Sequence, residues 1–266
     1  MRRLLLPVLM FALPWVSLAG DFKESLVIET GVLRESDLIV RNITDLNSRK
    51  TCMAFYIRTA GTRPMLTCYD VQGAFGTKIN QVGHLKEGNL VVRKVQDFTN
   101  SVACLVAYVG TQGTSPNIAC FAGKSSLSSS LVQDGHLREG DLDVTRIIDP
   151  DGAKTCLVAY VDTPRTVPSL LCYETRAGHA GVLQQLSVLR EGDLVVRKII
   201  DGAGGKACLV TYVSTEGTST NLFCYDDTED RGTYAPPRTA APAPAPVPPP
   251  RTAAPAPASV PPLRDR

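Results

Sequence analysis

Short apolar runs separated by turn residues recur along the chain. In the last copy, residues 194–200 alternate between two partly apolar faces, residues 208–213 are apolar on both faces, and residues 222–225 form a third short run. β-Branched and aromatic residues dominate these runs, which is typical of strands, and the run apolar on both faces indicates the centre of a sheet. Because charges interrupt the first run, we predict that it lies nearer an edge.

Turn chemistry separates the predicted strands. Gly192 and Asp193 precede the first run, a Gly-rich stretch beginning at Asp201 follows it, and Gly217 lies between the second and third runs. Glycine accepts positive φ and aspartate bonds its own backbone, so these positions predict tight connections. About ten less regular residues open each copy, and their short apolar centre predicts a short fourth strand or a packed loop.

The whole pattern repeats four times with a period of 52 residues, in blocks 21–72, 73–124, 125–176 and 177–228. We therefore predict an all-β protein of four tandem antiparallel meanders. One such block is too small to bury a core alone, so neighbouring blocks must pack together. A closed four-bladed propeller-like ring and a linear array both fit. We favour the ring, because neither end block resembles a capping repeat.

Each block carries two cysteines separated by fifteen residues. In a hairpin centred near Gln112 they would face each other across adjacent strands, within reach of a disulfide. Zinc sites usually use closer cysteine pairs, so disulfides are the preferred interpretation. Each bond would contribute about 3 kcal/mol on the chain-entropy model. The predicted bonds are Cys52–Cys68, Cys104–Cys120, Cys156–Cys172 and Cys208–Cys224.

Both ends differ from the blocks. Residues 1–19 combine Arg2 and Arg3 with a short apolar run and small residues, which predicts a secretory signal peptide. This run is too short to span a membrane. Residues 229–266 are rich in Pro and Ala and predict a disordered, extended tail that acts as a spacer or contacts the cell wall. Together with the paired cysteines, the signal predicts a secreted or periplasmic protein.

Charge excludes one class of partner. The chain has 28 basic and 26 acidic residues, and the counts become equal once Arg2 and Arg3 are removed with the signal. No block is strongly basic, so a nucleic-acid partner is not expected. We expect instead an unidentified protein or glycan of the cell envelope.

Comparison of the four blocks selects candidate site residues. Each block has the same glutamate after a basic residue, and the set is Glu35, Glu87, Glu139 and Glu191. With the nearby Asp37, Asn89, Asp141 and Asp193 they could form a carboxylate ring that binds calcium, although surface ion pairs or backbone capping explain them more simply. A second recurring set begins the hairpin turns, which indicates a structural role: Asp45, Asp97, Asp149 and Asp201.

A tyrosine also recurs on the most apolar strand, as Tyr56, Tyr108, Tyr160 and Tyr212. These side chains are expected in the core with each hydroxyl bonded at the sheet edge, and sugar stacking is the functional alternative. His84 and His136 occupy a position that holds valine in the other blocks, so packing or surface exposure is expected there. The Asn42 glycosylation triplet lies within a predicted strand and has no counterpart in the other blocks.

The sequence contains no nucleophile elbow, metalloprotease motif, phosphate loop or unpaired cysteine. We therefore predict an exported, non-enzymatic β-repeat binding or interaction module, with no cofactor and no bound metal. A structural envelope-associated protein is the alternative. A carboxylate-dependent glycan hydrolase is a third possibility, and it would need two carboxylates facing each other across a cleft.

Overall fold

The computed structural model describes residues 26–71, 78–123, 129–175 and 182–227. These residues form four antiparallel sheets of four strands, and in each sheet the strands follow one another in chain order. Every sheet lies within one 52-residue repeat, so the predicted all-β fold of tandem meanders is confirmed.

The sixteen strands have nearly the same lengths in all four repeats. Sheet 1 comprises β1 (Val27–Glu35), β2 (Leu38–Asp45), β3 (Lys50–Ile57) and β4 (Met65–Asp70). Sheet 2 comprises β5 (Ile79–Glu87), β6 (Leu90–Asp97), β7 (Val102–Val109) and β8 (Asn117–Ala122). Sheet 3 comprises β9 (Val132–Glu139), β10 (Leu142–Asp149), β11 (Lys154–Val161) and β12 (Ser169–Glu174). Sheet 4 comprises β13 (Leu183–Glu191), β14 (Leu194–Asp201), β15 (Lys206–Val213) and β16 (Asn221–Asp226).

The prediction that residues 194–200 lie near a sheet edge is wrong. They belong to β14, which pairs with β13 on one side and β15 on the other. The edge strand β13 comes instead from the irregular opening segment of the repeat and runs through Glu191, so it is longer than expected. Arg197 tolerates the central position of β14 because it donates to Tyr212 and Gln185 on the flanking strands and pairs with Asp141 of sheet 3. The prediction that residues 208–213 form a central strand is confirmed.

A two-residue loop joins the first two strands of every sheet. Its first residue has positive φ in each case: Ser36, Gly88, Gly140 and Gly192. The φ angle of the second loop residue is not positive. This pattern is that of a type II′ turn, the hairpin turn that favours glycine at its first central position. The turn holds a glutamate at the end of one strand opposite a leucine at the start of the next.

The four disulfides are those predicted. Cys52 lies directly across from Cys68 in the register of β3 and β4, with Cα atoms 4.0 Å apart. The other three bonds, Cys104–Cys120, Cys156–Cys172 and Cys208–Cys224, occupy the same place in their sheets. Each bond links the third strand of a sheet to its fourth.

Each sheet has two distinct faces. We call the side that carries the disulfide the cysteine face, and the opposite side, which carries Leu38, Leu90, Leu142 or Leu194, the leucine face. Buried residues on the leucine face of sheet 1 pack against the cysteine face of sheet 2, as Phe55 and Val106 illustrate. The same two kinds of face meet between sheets 2 and 3 and between sheets 3 and 4. The core is therefore three apolar layers between consecutive sheets.

The closed ring that we favoured is not confirmed. Within the described ranges, no buried cluster joins sheet 4 to sheet 1, and the three clusters join only sheets that follow one another in sequence. The predicted signal peptide and the predicted tail lie outside the described residues. Across the part of the chain that the structure describes, no helix has the length and apolar character needed to cross a membrane.

Candidate binding cleft between sheets 2 and 3

Two rows of polar contacts cross the apolar layers, and the first row uses the recurring turn aspartates. Asp97 accepts hydrogen bonds from the backbone N–H groups of Thr99 and Asn100, at 2.9 and 3.1 Å, so it caps its own turn as predicted. It also accepts a hydrogen bond from Asn42 on the preceding sheet, at 3.2 Å. The aspartate thus connects two repeats, a role that the sequence did not reveal.

The same cross-sheet contact becomes ionic in the next two layers. Lys94 donates to Asp149 at 2.7 Å, and Arg146 Nε donates to Asp201 at 3.0 Å. Each donor precedes its acceptor by 55 residues, and all four side chains are buried. Charged side chains are stable in a protein interior only where they are paired and hydrogen-bonded. These contacts therefore fix which faces of the sheets meet.

The second row lies at the hairpin loops and is built around an arginine. In sheet 2, Arg93 donates to Tyr108 at 2.8 Å and to Gln81 at 2.6 Å. Asp37, in the loop of sheet 1, accepts from Tyr108 at 2.8 Å and from Arg93 at 3.2 Å. A guanidinium therefore fills the space between the loop of one sheet and the cysteine face of the next.

Sheet 4 repeats this arrangement. Arg197 donates to Tyr212 at 3.0 Å and to Gln185 at 2.5 Å, and Tyr212 donates to Asp141 at 2.7 Å. Burial opposes ionisation of Asp141, but the hydrogen bonds from Tyr212 and Ser214 outweigh it and lower its pKa. Burial likewise raises the pKa of Tyr108 and of Tyr212 above the usual range of a phenol.

The layer between sheets 2 and 3 departs from the pattern at the same place. Thr145 stands where sheets 2 and 4 have arginine, Asn89 stands where the loops of sheets 1 and 3 have aspartate, and Asp143 stands where sheets 2 and 4 have valine. The guanidinium is thus lost, and a carboxylate is gained beside the space that it would fill. All three substitutions lie in the layer between sheets 2 and 3, so this layer differs from the two others.

A polar cleft of about 310 Å³ opens at this point. The loop of sheet 2 contributes Glu87, Gly88 and Asn89 to its lining. Sheet 3 contributes the other lining residues, which are Asp162 in the loop after β11 and six residues of the cysteine face: Gln133, His136, Arg138, Asp143, Thr145 and Tyr160. The cleft therefore lies between two repeats and is built on strands and a tight turn.

The electrostatics of the cleft favour a cation. Its three carboxylates, on Glu87, Asp143 and Asp162, face a single guanidinium, that of Arg138. Arg138 already pairs with Asp162 at 2.8 Å. Asp143 is 5% exposed and bonds to His136 Nε2 at 2.8 Å. Burial, followed by the charges of Asp143 and Asp162, raises the pKa of Tyr160, so its hydroxyl stays protonated at neutral pH.

Gln133 provides an acceptor with no partner. Its equivalents in sheets 2 and 4, Gln81 and Gln185, each accept a hydrogen bond from the arginine of their own sheet. Gln133 Oε1 is buried and has no hydrogen-bond partner among the described residues. A buried acceptor without a partner costs about 1–3 kcal/mol, so a ligand that donates to it gains that free energy.

The predicted glutamates do not gather at one place. Glu35, Glu87, Glu139 and Glu191 lie one to a sheet, each at the end of a first strand, and only Glu87 lines the cleft between sheets 2 and 3. The described residues contain no group of three or more His, Cys, Asp or Glu side chains arranged to hold a metal ion. The calcium-ring hypothesis therefore gains no support.

The predicted tyrosines lie on the cysteine faces. Tyr108, Tyr160 and Tyr212 are buried, and Tyr56, on the outermost sheet, is half-buried. Arg41 donates to the hydroxyl of Tyr56 at 3.3 Å. The cleft itself was missed, although the sequence contains its signal: Thr145 and Asp143 interrupt positions that are otherwise Arg and apolar. His136, which we expected to be packing or surface, lines this cleft.

Comparison with known proteins found no matching family model, no similar curated protein and no similar solved structure.

Proposed function

We propose that this protein is an exported, non-enzymatic binding module, and that the cleft between sheets 2 and 3 binds a guanidinium or primary ammonium group. The observation that carries the proposal is the loss of one arginine from a repeated site. Sheets 2 and 4 supply their own guanidinium to Gln, Tyr and Asp acceptors, whereas sheet 3 keeps Gln133 and Tyr160 but has Thr145 in its place.

The ligand takes the position of the missing side chain. Its N–H groups donate to Gln133 Oε1 and Tyr160, and the carboxylate of Asp143 balances its charge. A guanidinium matches the planar arrangement of acceptors that Arg93 and Arg197 satisfy elsewhere, so we expect it to bind more tightly than an ammonium. Such a group occurs on an arginine side chain of a partner protein and on small arginine derivatives.

The export part of the proposal rests on the disulfides and on the ends of the chain. Four disulfides are typical of proteins that mature in an oxidising compartment. The predicted signal peptide and the predicted spacer tail agree with a secreted or periplasmic location. Detection of the processed protein in extracellular or periplasmic fractions tests this part separately.

Calorimetric titration with methylguanidinium, agmatine and an arginine-containing peptide tests the binding. We expect saturable binding of all three and none of methylurea, which has a similar planar shape but no charge. Thr145→Arg fills the space with an internal guanidinium and should weaken binding at least about tenfold. Thr215→Arg, on an exposed loop of sheet 4, adds the same charge elsewhere and should leave binding unchanged. Equal binding by both variants would refute the proposal.

One observation favours glycan hydrolysis as a second candidate. Glu87 and Asp143 approach the same cleft from two sheets, and glycosidases use two carboxylates on either side of a sugar. Release of reducing ends from envelope glycans, lost in Glu87→Gln, would support hydrolysis. Binding of guanidinium ligands without any turnover would support the first proposal.

A further inference from the structure

The leucine face of sheet 4 is exposed, unlike the equivalent faces of the other sheets. Leu194 is 45% exposed, whereas Leu38, Leu90 and Leu142 are each 1% exposed. Val213 is 42% exposed, whereas its counterparts in sheets 1, 2 and 3 are at most 3% exposed. Further large apolar side chains of this face are exposed as well: Leu189, Phe223 and Tyr225. This amounts to an apolar patch of the kind that marks an interaction site.

The other layers show what covers such a face. The leucine faces of sheets 1, 2 and 3 are each covered by the cysteine face of the next sheet. Within the described part of the chain, the cysteine face of sheet 1 is the one that no other sheet covers. It presents Val32 and Leu66 to solvent, and Tyr56 is half-buried there. The two end faces are thus the two halves of the interface that joins consecutive repeats.

The polar groups at the two ends are complementary in the same way. On the leucine face of sheet 4, Lys198 occupies the position of Lys94 and Arg146, which each bond to a turn aspartate of the next sheet. Lys198 has no ion-pair or hydrogen-bond partner among the described residues. On the cysteine face of sheet 1, Asp45 bonds to its own turn, at Asn47 and Ser48, and to no other side chain in the described ranges. Asp45 is therefore available to accept from a lysine.

The second row of polar contacts, at the hairpin loops, also has complementary groups on the two end faces. Asp37 and Asp141 each accept a hydrogen bond from the tyrosine of the next sheet. Asp193, in the loop of sheet 4, has no such partner in the described ranges. Arg41 and Tyr56 of sheet 1 form the same arginine–tyrosine pair that receives an aspartate elsewhere. Both rows of cross-sheet contacts would therefore continue from sheet 4 onto a sheet 1.

We propose that the leucine face of sheet 4 binds the cysteine face of sheet 1 of a second copy of this chain, so that copies stack head to tail. Lys198 then pairs with Asp45 of the second copy, and Asp193 pairs with Arg41 and Tyr56 of that copy. The contact is heterologous, because it joins two different surfaces, and it extends the array unless the rotation between copies closes a ring. The tail is a poorer occupant, because residues 229–266 are net basic, with five arginines against three acidic residues, Glu229, Asp230 and Asp265.

Sedimentation of the purified full chain over a wide concentration range tests the proposal. We expect the weight-average mass to rise with concentration. Lys198→Asp places two carboxylates opposite each other and should raise the apparent dissociation constant at least about tenfold. Asp45→Lys should do the same by opposing two lysines. An equimolar mixture of these two variants should associate again, because each variant supplies the charge that the other lacks.

Asp151→Lys changes the charge of an exposed loop residue away from both end faces and should leave the mass distribution unchanged. A full chain that stays monomeric at every concentration, before and after removal of residues 228–266, overturns the proposal. Association that begins only after that removal also overturns it, because the tail is then the occupant of the face. Two single variants that each associate like the unmodified chain overturn it as well.

Discussion

Lys94 Nζ lies 2.7 Å from the carboxylate of Asp149, and this pair joins sheet 2 to sheet 3. The two side chains are 2% and 0% exposed, so water provides almost no screening. Asn42 and Arg146 occupy the same position in sheets 1 and 3 and bond to the equivalent aspartates, Asp97 and Asp201. One sequence position therefore provides a donor to the next repeat in every internal layer.

Removal of one member of this pair should destabilise the protein strongly. Lys94→Met leaves a buried, unpaired carboxylate on Asp149, and we expect the free energy of unfolding to fall by about 3–5 kcal/mol. Urea denaturation of the oxidised protein measures this change. Lys198→Met lies at the equivalent position of sheet 4, where no described residue provides an acceptor, and should change the free energy of unfolding of the monomer by less than about 0.5 kcal/mol. Equal losses in the two variants would contradict the assigned role of the pair.

Removal of the guanidinium from sheet 2 should create a second cleft. Arg93→Ala leaves Gln81 Oε1 and the carboxylate of Asp37 without their charged donor, and we expect a loss of about 2–3 kcal/mol. Millimolar methylguanidinium should bind in the vacated space and restore part of the melting temperature by mass action. Methylurea, which is uncharged, should restore less.

Arg41→Ala is the matched control for this rescue. Arg41 lies on the uncovered face of sheet 1, where it bonds to Tyr56 and pairs with Glu29. Exposed ion pairs contribute about 0–1 kcal/mol, so the variant should lose little stability. Methylguanidinium should raise its melting temperature only as much as that of the unmodified chain, through the cleft between sheets 2 and 3. An equal rise in the two variants would mean that the ligand does not occupy the space vacated by Arg93.

Stability should decline in alkaline solution because the pKa values of several tyrosines are raised in the folded protein. Burial is the largest cause for each of them: Tyr69, Tyr108, Tyr160, Tyr173 and Tyr212. Above pH of about 10 the unfolded chain loses phenolic protons that the folded chain keeps. The unfolded state then binds fewer protons, so the free energy of unfolding decreases as pH rises.

Each tyrosine that ionises only on unfolding contributes a slope of up to about 1.4 kcal/mol per pH unit. The contribution is fully present below pH of about 10 and is lost as pH rises through the folded pKa. Urea titrations between pH 8 and 11, followed by phenolate absorbance, measure the decline. Tyr108→Phe should lower the slope. A free energy of unfolding that stays constant up to pH 11 would contradict this account.

The repeat explains why much of the fold follows from the sequence. Four copies at constant spacing show which variations the structure tolerates. A hairpin between the second and third predicted strands places Cys52 opposite Cys68, and the disulfide prediction depends on that register. The position of β14 was predicted wrongly because Arg197 and Lys198 resemble solvent-exposed edge residues. Arg197 is buried in a network with Tyr212 and Gln185 on the two flanking strands, and this network reaches Asp141 of the preceding sheet, which is distant in sequence.

The cleft was missed for a related physical reason. Positions that stay the same in all repeats, such as Glu87 and Tyr160, stand out in the sequence, whereas the cleft arises where the repeats differ. The sequence alone does not show what the replacement of an arginine by Thr145 does. The consequence follows only from the structure, in which the equivalent arginines of sheets 2 and 4 fill a space between two sheets. Differences between repeats at buried positions are thus as informative for function as identities.

The four disulfides should differ in their rates of reduction, because among the described sheets only one bond lies on an uncovered face. Cys104, Cys156 and Cys208 are fully buried beneath the preceding sheet and their partners Cys120, Cys172 and Cys224 are half-buried, whereas Cys52 is half-buried and Cys68 is exposed. A thiolate must reach a sulfur atom to attack it, so the three covered bonds should react more slowly, and their fully buried sulfur atoms only after the sheets separate. We expect Cys52–Cys68 to be reduced at least about tenfold faster than the others.

Brief treatment with dithiothreitol, alkylation and mass mapping gives the order of reduction at a protein concentration where the chain is monomeric. Modified Cys52 and Cys68 should appear first, while the other six cysteines stay paired. Lys94→Met should accelerate reduction of Cys156–Cys172 selectively, because it weakens the layer that covers that bond. Reduction of all four bonds at one rate in the unmodified protein would mean that the sheets separate together. The prediction that a covering sheet protects each of the other three bonds would then be wrong.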